Sequence, residues 1–162
     1  AAVEPGLVRG LVLASAFTSP SPRLQEVLSG VAMEAELVID MKDYARRRAE
    51  RMLAAGGADE GFLAGAGRMS KAVLSGLGRS LAHWNATPLL KAVGVPVLLL
   101  VGENDPYVSL GMAEEIAGRL RQAEVVTIPG AGHICNLDAP EAFEGEMRRF
   151  LARLSAPQPP SS

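Results

Sequence analysis

Val95–Pro106, VPVLLLVGENDP, and Val125–His133, VVTIPGAGH, are the two stretches whose reading decides the fold. Each begins with an unbroken apolar run and ends in turn residues. Continuous apolar runs of this length suit parallel strands buried on both faces. Between them, Ser109 to Gln122 repeats apolar residues at helical spacing: Met112, Ala113, Ile116, Ala117 and Leu120. Beyond them, Asp138 to Leu154 does the same with Phe143, Met147, Phe150, Leu151 and Leu154. Asp138 and Glu141 read as an acidic capping box, with Pro140 in the first turn. Strand–helix–strand–helix at this spacing predicts a parallel α/β sheet.

In such a sheet, ligands gather outside the carboxyl ends of the strands. Asp105 and His133 both fall there, on the loops leaving two successive strands. An acid there can hydrogen-bond an imidazole, fix its tautomer and stabilise the imidazolium formed when the ring takes a proton. Gly130 and Gly132 allow the sharp bend that carries His133. Asn104-Asp105-Pro106 is also a common turn tripeptide, and a loop histidine can merely satisfy local hydrogen bonds. Their joint occurrence, in the order acid then histidine, favours the last two members of a Ser…Asp…His relay. No Gly-x-Ser-x-Gly turn occurs in the 162 residues.

Upstream, Gly10–Ala14 is a short apolar run that reads as a strand, and Thr18–Pro22 breaks regular structure. From Arg23 to Ala82 the pattern is helical. Asp40 is placed to cap a helix bearing Met41, Tyr44, Ala45, Ala49, Met52 and Leu53, ended by Gly56-Gly57. Gly61 to Gly67 predicts a loose helix. Ser70 is placed to cap another, with Val73, Leu74, Leu77, Leu81 and Trp84 on one side. Thr87-Pro88 reads as N-cap and first residue of a short helical turn.

Composition narrows the function. Hydrophobic residues make up 48%, charged residues 21%, and the formal net charge is −2, which suits an ordinary globular protein. Arg46-Arg47-Arg48 lies between Asp43 and Glu50, a pattern of a solvated helix face, so nucleic acid is not an expected partner. No apolar stretch reaches the ~20 residues that span a bilayer, so no membrane is expected either. Cys135 is the single cysteine, which excludes an internal disulfide and fits a reducing, cytoplasmic setting. No histidine–carboxylate cluster has metal-ligand spacing, and no phosphate loop is present, so neither a metal nor a cofactor is expected.

Val95 to Leu154 closely resembles the C-terminal part of the α/β-hydrolase superfamily, above all its esterase and enol-lactonase members, such as 3-oxoadipate enol-lactonase. The family's acid follows its seventh strand, matching Asp105. Its histidine follows the eighth, in a Gly-x-Gly-His bend matching Gly130, Gly132 and His133. VRGLVLASA resembles the sixth strand, and the helical middle resembles the cap inserted after it. The proline- and serine-rich tail over 156–162 is expected to be disordered by its composition. The resemblance implies a partial α/β-hydrolase core over 1–22 and 86–155 and a helical cap over 23–85. It implies catalytic roles for Asp105 and His133 and a small-molecule ester or lactone substrate. Val108 and Ile134, beside the two loops, and Trp84, at the end of the cap, are then candidates to line the substrate pocket.

In the family the nucleophile turn and the oxyanion loop precede the sixth strand, which places both before Ala1. The expectation is a C-terminal piece of a serine-type hydrolase, inactive alone. Its first strand would present an apolar sheet edge, free to pair with the missing half or with another copy. Dehalogenases, epoxide hydrolases and perhydrolases on the same scaffold remain alternatives, as does a binding module without catalysis. Cys135, in a loop beyond His133, is a remote candidate nucleophile beside its simpler reading as a free thiol.

Overall fold

Every residue of Val97–Gly102 is buried, as an apolar run sandwiched between two helical layers requires. The computed structural model describes residues 5–53 and 60–155. Within them, a three-stranded parallel sheet runs in the order β1 (Leu11–Ala14), β2 (Val97–Gly102), β3 (Ala123–Ile128). Leu11 pairs with Val97, and Val97 with Ala123; at the far end Gly102 lies level with Ile128. The central strand alternates between two cores. Val97, Leu99 and Val101 pack with Ala113 and Ile116 of helix α5 (Leu110–Ala117). Leu98 and Leu100 pack with Ile128, Cys135 and Phe150, the last from helix α7 (Pro140–Ser155). Each fully buried leucine contributes about 2 kcal/mol of burial free energy.

A helical layer is inserted between β1 and β2: α1 (Pro22–Leu37), α2 (Met41–Glu50), α3 (Glu60–Ala66) and α4 (Lys71–Ala82). Side-chain oxygens of Ser21, Asp40 and Ser70 accept N–H groups in the first turns of α1, α2 and α4. Ser109 does the same for α5. These are the orphan donors that a helix start leaves unpaired. The predicted caps at Asp40 and Ser70 are therefore present.

Four local expectations are corrected. Helix α2 stops at Glu50, so Met52 and Leu53 lie in the following turn; Gly56-Gly57 falls outside the described residues. Helix α5 ends at Ala117 rather than Gln122, with Gly118 as its C-cap, a poor residue for continuing a helix. The predicted helix from Asp138 is split into α6 (Cys135–Asp138) and α7, because Pro140 forces Ala139 out of helical geometry (φ −142°, ψ 66°). Thr87 opens a 3₁₀ helix, Thr87–Ala92, instead of capping it, and its hydroxyl bonds that of Thr18 at 3.2 Å.

Two inward faces also differ. Leu151 of α7 is exposed. In α4 the buried residues are Ser75, Gly78 and Ala82, while Val73 is 57% and Leu77 47% exposed. The small face docks on α1. A Cβ on Gly78 would sit 2.8 Å from the Leu28 carbonyl oxygen, closer than any side chain tolerates. Gln25 of α1 donates to the Ala82 carbonyl at 3.1 Å, and Ser75 donates to Glu36 at 2.9 Å. Close approach of two backbones thus turns the large residues of α4 away from α1 and toward a cavity described below.

Candidate active site

Three residues beyond the end of β2, Asp105 closes a tight turn. Its Oδ1 accepts the N–H groups of Tyr107 at 2.8 Å and Val108 at 3.0 Å. Its Oδ2 lies 2.9 Å from Nδ1 of His133. The carboxylate is wholly withdrawn from solvent, whereas the imidazole is 18% exposed. Burial pushes the Asp105 pKa up. The hydrogen bond from His133, the two backbone N–H groups and the charge on His133 outweigh that and hold it below the usual carboxylate value. An ionised carboxylate only accepts, so Nδ1 carries the shared proton, and in the neutral ring Nε2 is the free acceptor. Tyr107 packs edge-on against the imidazole, with ring centroids 5.2 Å apart and planes at 79°.

The bend that carries His133 is anchored at four points. Gly130, with φ +70°, donates its N–H to Glu103 at 2.8 Å. Gly132 donates to Asp138 at 2.8 Å, which is the work Asp138 does in place of the expected cap. The N–H of His133 donates to the Met52 carbonyl at 2.8 Å, and that of Ile134 to the same oxygen at 3.2 Å. The helical layer is thereby tied to the histidine. Finally, the bend presses on the end of β2. A Cβ on Gly102 would meet the Gly132 carbonyl oxygen at 2.0 Å and that of Ala131 at 2.6 Å.

His133 opens into a cavity of about 170 Å³ between the sheet end and the helices. Helix α1 contributes Leu24, Leu28 and Val31 to its wall, and α4 contributes Leu74, Leu77 and Leu81. Val27 of α1, Phe17, Met52 and Tyr107 add to the apolar lining, and among the described residues Arg48 is the one arginine or lysine that borders it. The lining is thus of the mostly apolar kind, with few polar groups, that binds small organic molecules.

Of the five residues singled out from the sequence, the structure brings Asp105 and His133 together and places the others elsewhere. Val108 is fully buried beneath the turn and serves Asp105 through its backbone N–H. Ile134 points away from the cavity wall and packs on Ala49, Leu53, Leu63 and Ala66. Trp84 lies two residues past the end of α4, 47% exposed, and is not part of the lining. Adjacency in sequence to a catalytic loop does not place a side chain in the pocket, because successive residues of a turn point in different directions. Gly102 and Tyr107 went unread, and Met52 and Arg48, read as part of a helix's apolar face and of a solvated arginine run, were not placed at the cavity; the sequence signal for Gly102 was a glycine at the end of a strand.

Cys135 is buried in the core under β2, and burial pushes its thiol pKa up. It is therefore a neutral packing residue, not an activated nucleophile. Among the described residues, no cluster of three His, Cys, Asp or Glu side chains could hold a metal ion, and no helix is long and apolar enough to cross a membrane.

The chain is similar to known proteins in sequence and in fold. The alpha/beta hydrolase family model matches residues 1–146. The sn-1-specific diacylglycerol lipase ABHD11 of Mus musculus is 39% identical over 57 residues, 35% of this chain and 19% of its own length. Esterase YbfF of Escherichia coli (strain K12) is 31% identical over 90 residues, 56% of this chain and 34% of its own. The chain thus spans about a fifth to a third of the length of these curated relatives. The crystal structure of the enol-lactonase from Burkholderia xenovorans LB400 superposes with a TM-score of 0.78 at 21% identity, covering 94% of this chain and 59% of that one. That likeness speaks for the fold, while the family match takes in both strand ends and the helical layer between them. With the parallel sheet, the inserted helices and the hydrogen-bonded acid and histidine on neighbouring strand ends, it bears out the resemblance read from the sequence: the chain belongs to the alpha/beta hydrolase family.

Proposed function

We propose that this chain supplies the acid, the base and the apolar substrate wall of a hydrolase acting on a carboxylic ester or lactone. The observation that carries the reading is the 2.9 Å bond between the buried Asp105 carboxylate and His133, with the imidazole facing an apolar cavity. In this reading a serine hydroxyl attacks the substrate carbonyl and passes its proton to Nε2 of His133. The imidazolium is stabilised by Asp105 and protonates the leaving alcohol, or the ring oxygen of a lactone, as the acyl–oxygen bond breaks. Water then enters, gives a proton to the same nitrogen and attacks the acyl-enzyme. The tetrahedral intermediate collapses, His133 returns that proton to the serine oxygen, and the acid is released.

The serine and the N–H groups that hold the oxyanion are assigned to a segment other than residues 1–162, which carry no nucleophile turn. Loss of the nucleophile alone removes about 10⁶ of turnover in a well-characterised triad enzyme. Residues 1–162 by themselves are accordingly expected to leave p-nitrophenyl acetate unhydrolysed above the buffer rate. Turnover that His133→Ala abolishes would overturn this assignment of the nucleophile.

The segment supplying the serine is expected to join the sheet beside β1. Leu11, Val12 and Leu13 are only half-buried, and among the described residues β1 is an edge strand with one side of its ladder open. An open apolar edge is a template for another strand. Light scattering of residues 1–162 alone should therefore show self-association that increases with concentration. A single monomeric species at high concentration would count against the open edge as a pairing site.

A further inference from the structure

Both oxygens of the Asp105 carboxylate are engaged, and Tyr107 touches the result twice. Oδ1 accepts its backbone N–H, while Oδ2 meets Nδ1 of His133. The Tyr107 ring packs on that same imidazole, with centroids 5.2 Å apart and planes at 79°. Such a near-perpendicular pair is a favoured geometry for two aromatic rings. Tyr107 is thus bonded to the acid through its backbone and packed on the base through its side chain.

The two loops that meet in this contact are both held. Asp105 accepts the N–H groups of Tyr107 and Val108, which belong to the two peptide units flanking the Tyr107 Cα, so the direction of its side chain is set. Val108 is itself fully buried. Across the contact, the His133 N–H is bonded to the Met52 carbonyl at 2.8 Å. The freedom left to the imidazole is rotation of its own side chain. One hydrogen bond at Nδ1 does not stop the ring from swinging about that bond, which would sweep Nε2 through an arc. Proton transfer needs Nε2 within hydrogen-bond reach of the attacking hydroxyl.

We infer that Tyr107 is a positioning residue for the proton-transfer step: its ring blocks the swing of His133 about the bond to Asp105 and keeps Nε2 in one place. The role in the reaction rests on the hydrolase reading above; the hold on the imidazole does not. The competing role for Tyr107 is to fill space in the cavity wall, which an apolar side chain without a ring would also do.

Tyr107→Phe keeps the ring, Tyr107→Leu removes it, and both keep the backbone N–H that Asp105 accepts. Proton NMR follows the far-downfield Nδ1–H of His133 and its rate of exchange with water, and the imidazole nitrogen shifts report the tautomer. The Phe variant should match the wild type. In the Leu variant the proton should exchange faster by about twofold to tenfold, the range that an aromatic pair is worth beyond burial. Its nitrogen shifts should also move toward the average of the two tautomers. Wild-type exchange and shifts in Tyr107→Leu would reduce Tyr107 to a space filler and overturn the inference. A loss in Tyr107→Phe equal to that in Tyr107→Leu would overturn it too, since the hydroxyl and not the ring would then hold the imidazole. Backbone amide exchange at residues 107 and 108 is read in the same samples. If it accelerates as much as the Nδ1–H, the side chain serves the turn rather than the imidazole, and the inference falls. None of these outcomes bears on the p-nitrophenyl acetate test of where the nucleophile lies, and failure of that test leaves the hold on His133 standing.

Discussion

Gly102→Ala is expected to pull His133 away from Asp105 and to destabilise the fold by about 3 kcal/mol. The added methyl would sit 2.0 Å from the Gly132 carbonyl oxygen and 2.6 Å from that of Ala131. Both are backbone atoms of the bend, so no side-chain rotation relieves the overlap. Either the end of β2 or the whole Gly130–His133 bend must shift. The 2.9 Å contact between Oδ2 and Nδ1 has no slack for such a shift, since hydrogen bonds weaken steeply with distance and angle. In proton NMR, the far-downfield resonance of an imidazole N–H bonded to a carboxylate should be present in the wild type and missing in the variant. Thermal unfolding should show the loss of stability in the same samples. A variant that keeps both the resonance and the wild-type melting temperature would show that the bend does not rest on Gly102.

Asp105→Asn is expected to cost about 2 kcal/mol at neutral pH, the scale of a hydrogen bond to a charged group. The cost should shrink as the solution is acidified. The folded carboxyl titrates below its ordinary value because the bond from His133 and two backbone N–H groups outweigh its burial. A depressed pKa means that the ionised form stabilises the native state. That contribution is complete above the unfolded value near ~4 and is lost as pH falls through the lower folded value. Asparagine does not titrate, so the gap between variant and wild type is widest near neutrality and closes below about pH 4. Denaturant unfolding of both proteins across that range measures it directly. A gap independent of pH would mean that the carboxylate charge contributes nothing. In the complete enzyme proposed above, the same substitution should reduce turnover by about 10⁴, because an amide in place of the carboxylate favours the wrong imidazole tautomer.

The Asp105–His133 pair was legible in the sequence because its determinants are local. The apolar runs mark β2 and β3, of which β2 is buried throughout whereas β3, expected to be buried on both faces, is buried only at Ile128, and the acid and the histidine each follow one of them within a few residues. Parallel neighbours then bring both loops to the same rim. Helix starts at Asp40, Ser70 and Ser109 were legible for the same reason, since a cap is an interaction between a side chain and a backbone three residues away. The end of α5 and the break before Pro140 were missed although their causes are equally local: Gly118 is a poor residue for continuing a helix, and Pro140 pushes Ala139 out of helical geometry.

The wall of the cavity was not legible. Helix α4 carries its large apolar residues on one side, and the pattern says that this side is buried. The structure buries the opposite, small side against α1, since Gly78 permits the two backbones to approach. The same three-arginine run that reads as one solvated face contains two arginines held by carboxylates and one, Arg48, that borders the cavity.

The sequence by itself therefore determined the strands, the order of acid and histidine, and the sheet rim on which they meet. Continuous hydrophobicity and turn chemistry act over a few neighbouring residues, and they are written in the chain wherever it folds. Only the tertiary structure decided which helix face lines the cavity, which arginine borders it, and why Gly102 admits no side chain. Each of those depends on a distant segment: Leu28 against Gly78, the α1 and α4 residues that share the cavity wall with Arg48, and the Gly132 carbonyl against β2. A residue's own neighbours in sequence carry no record of what will be packed against it.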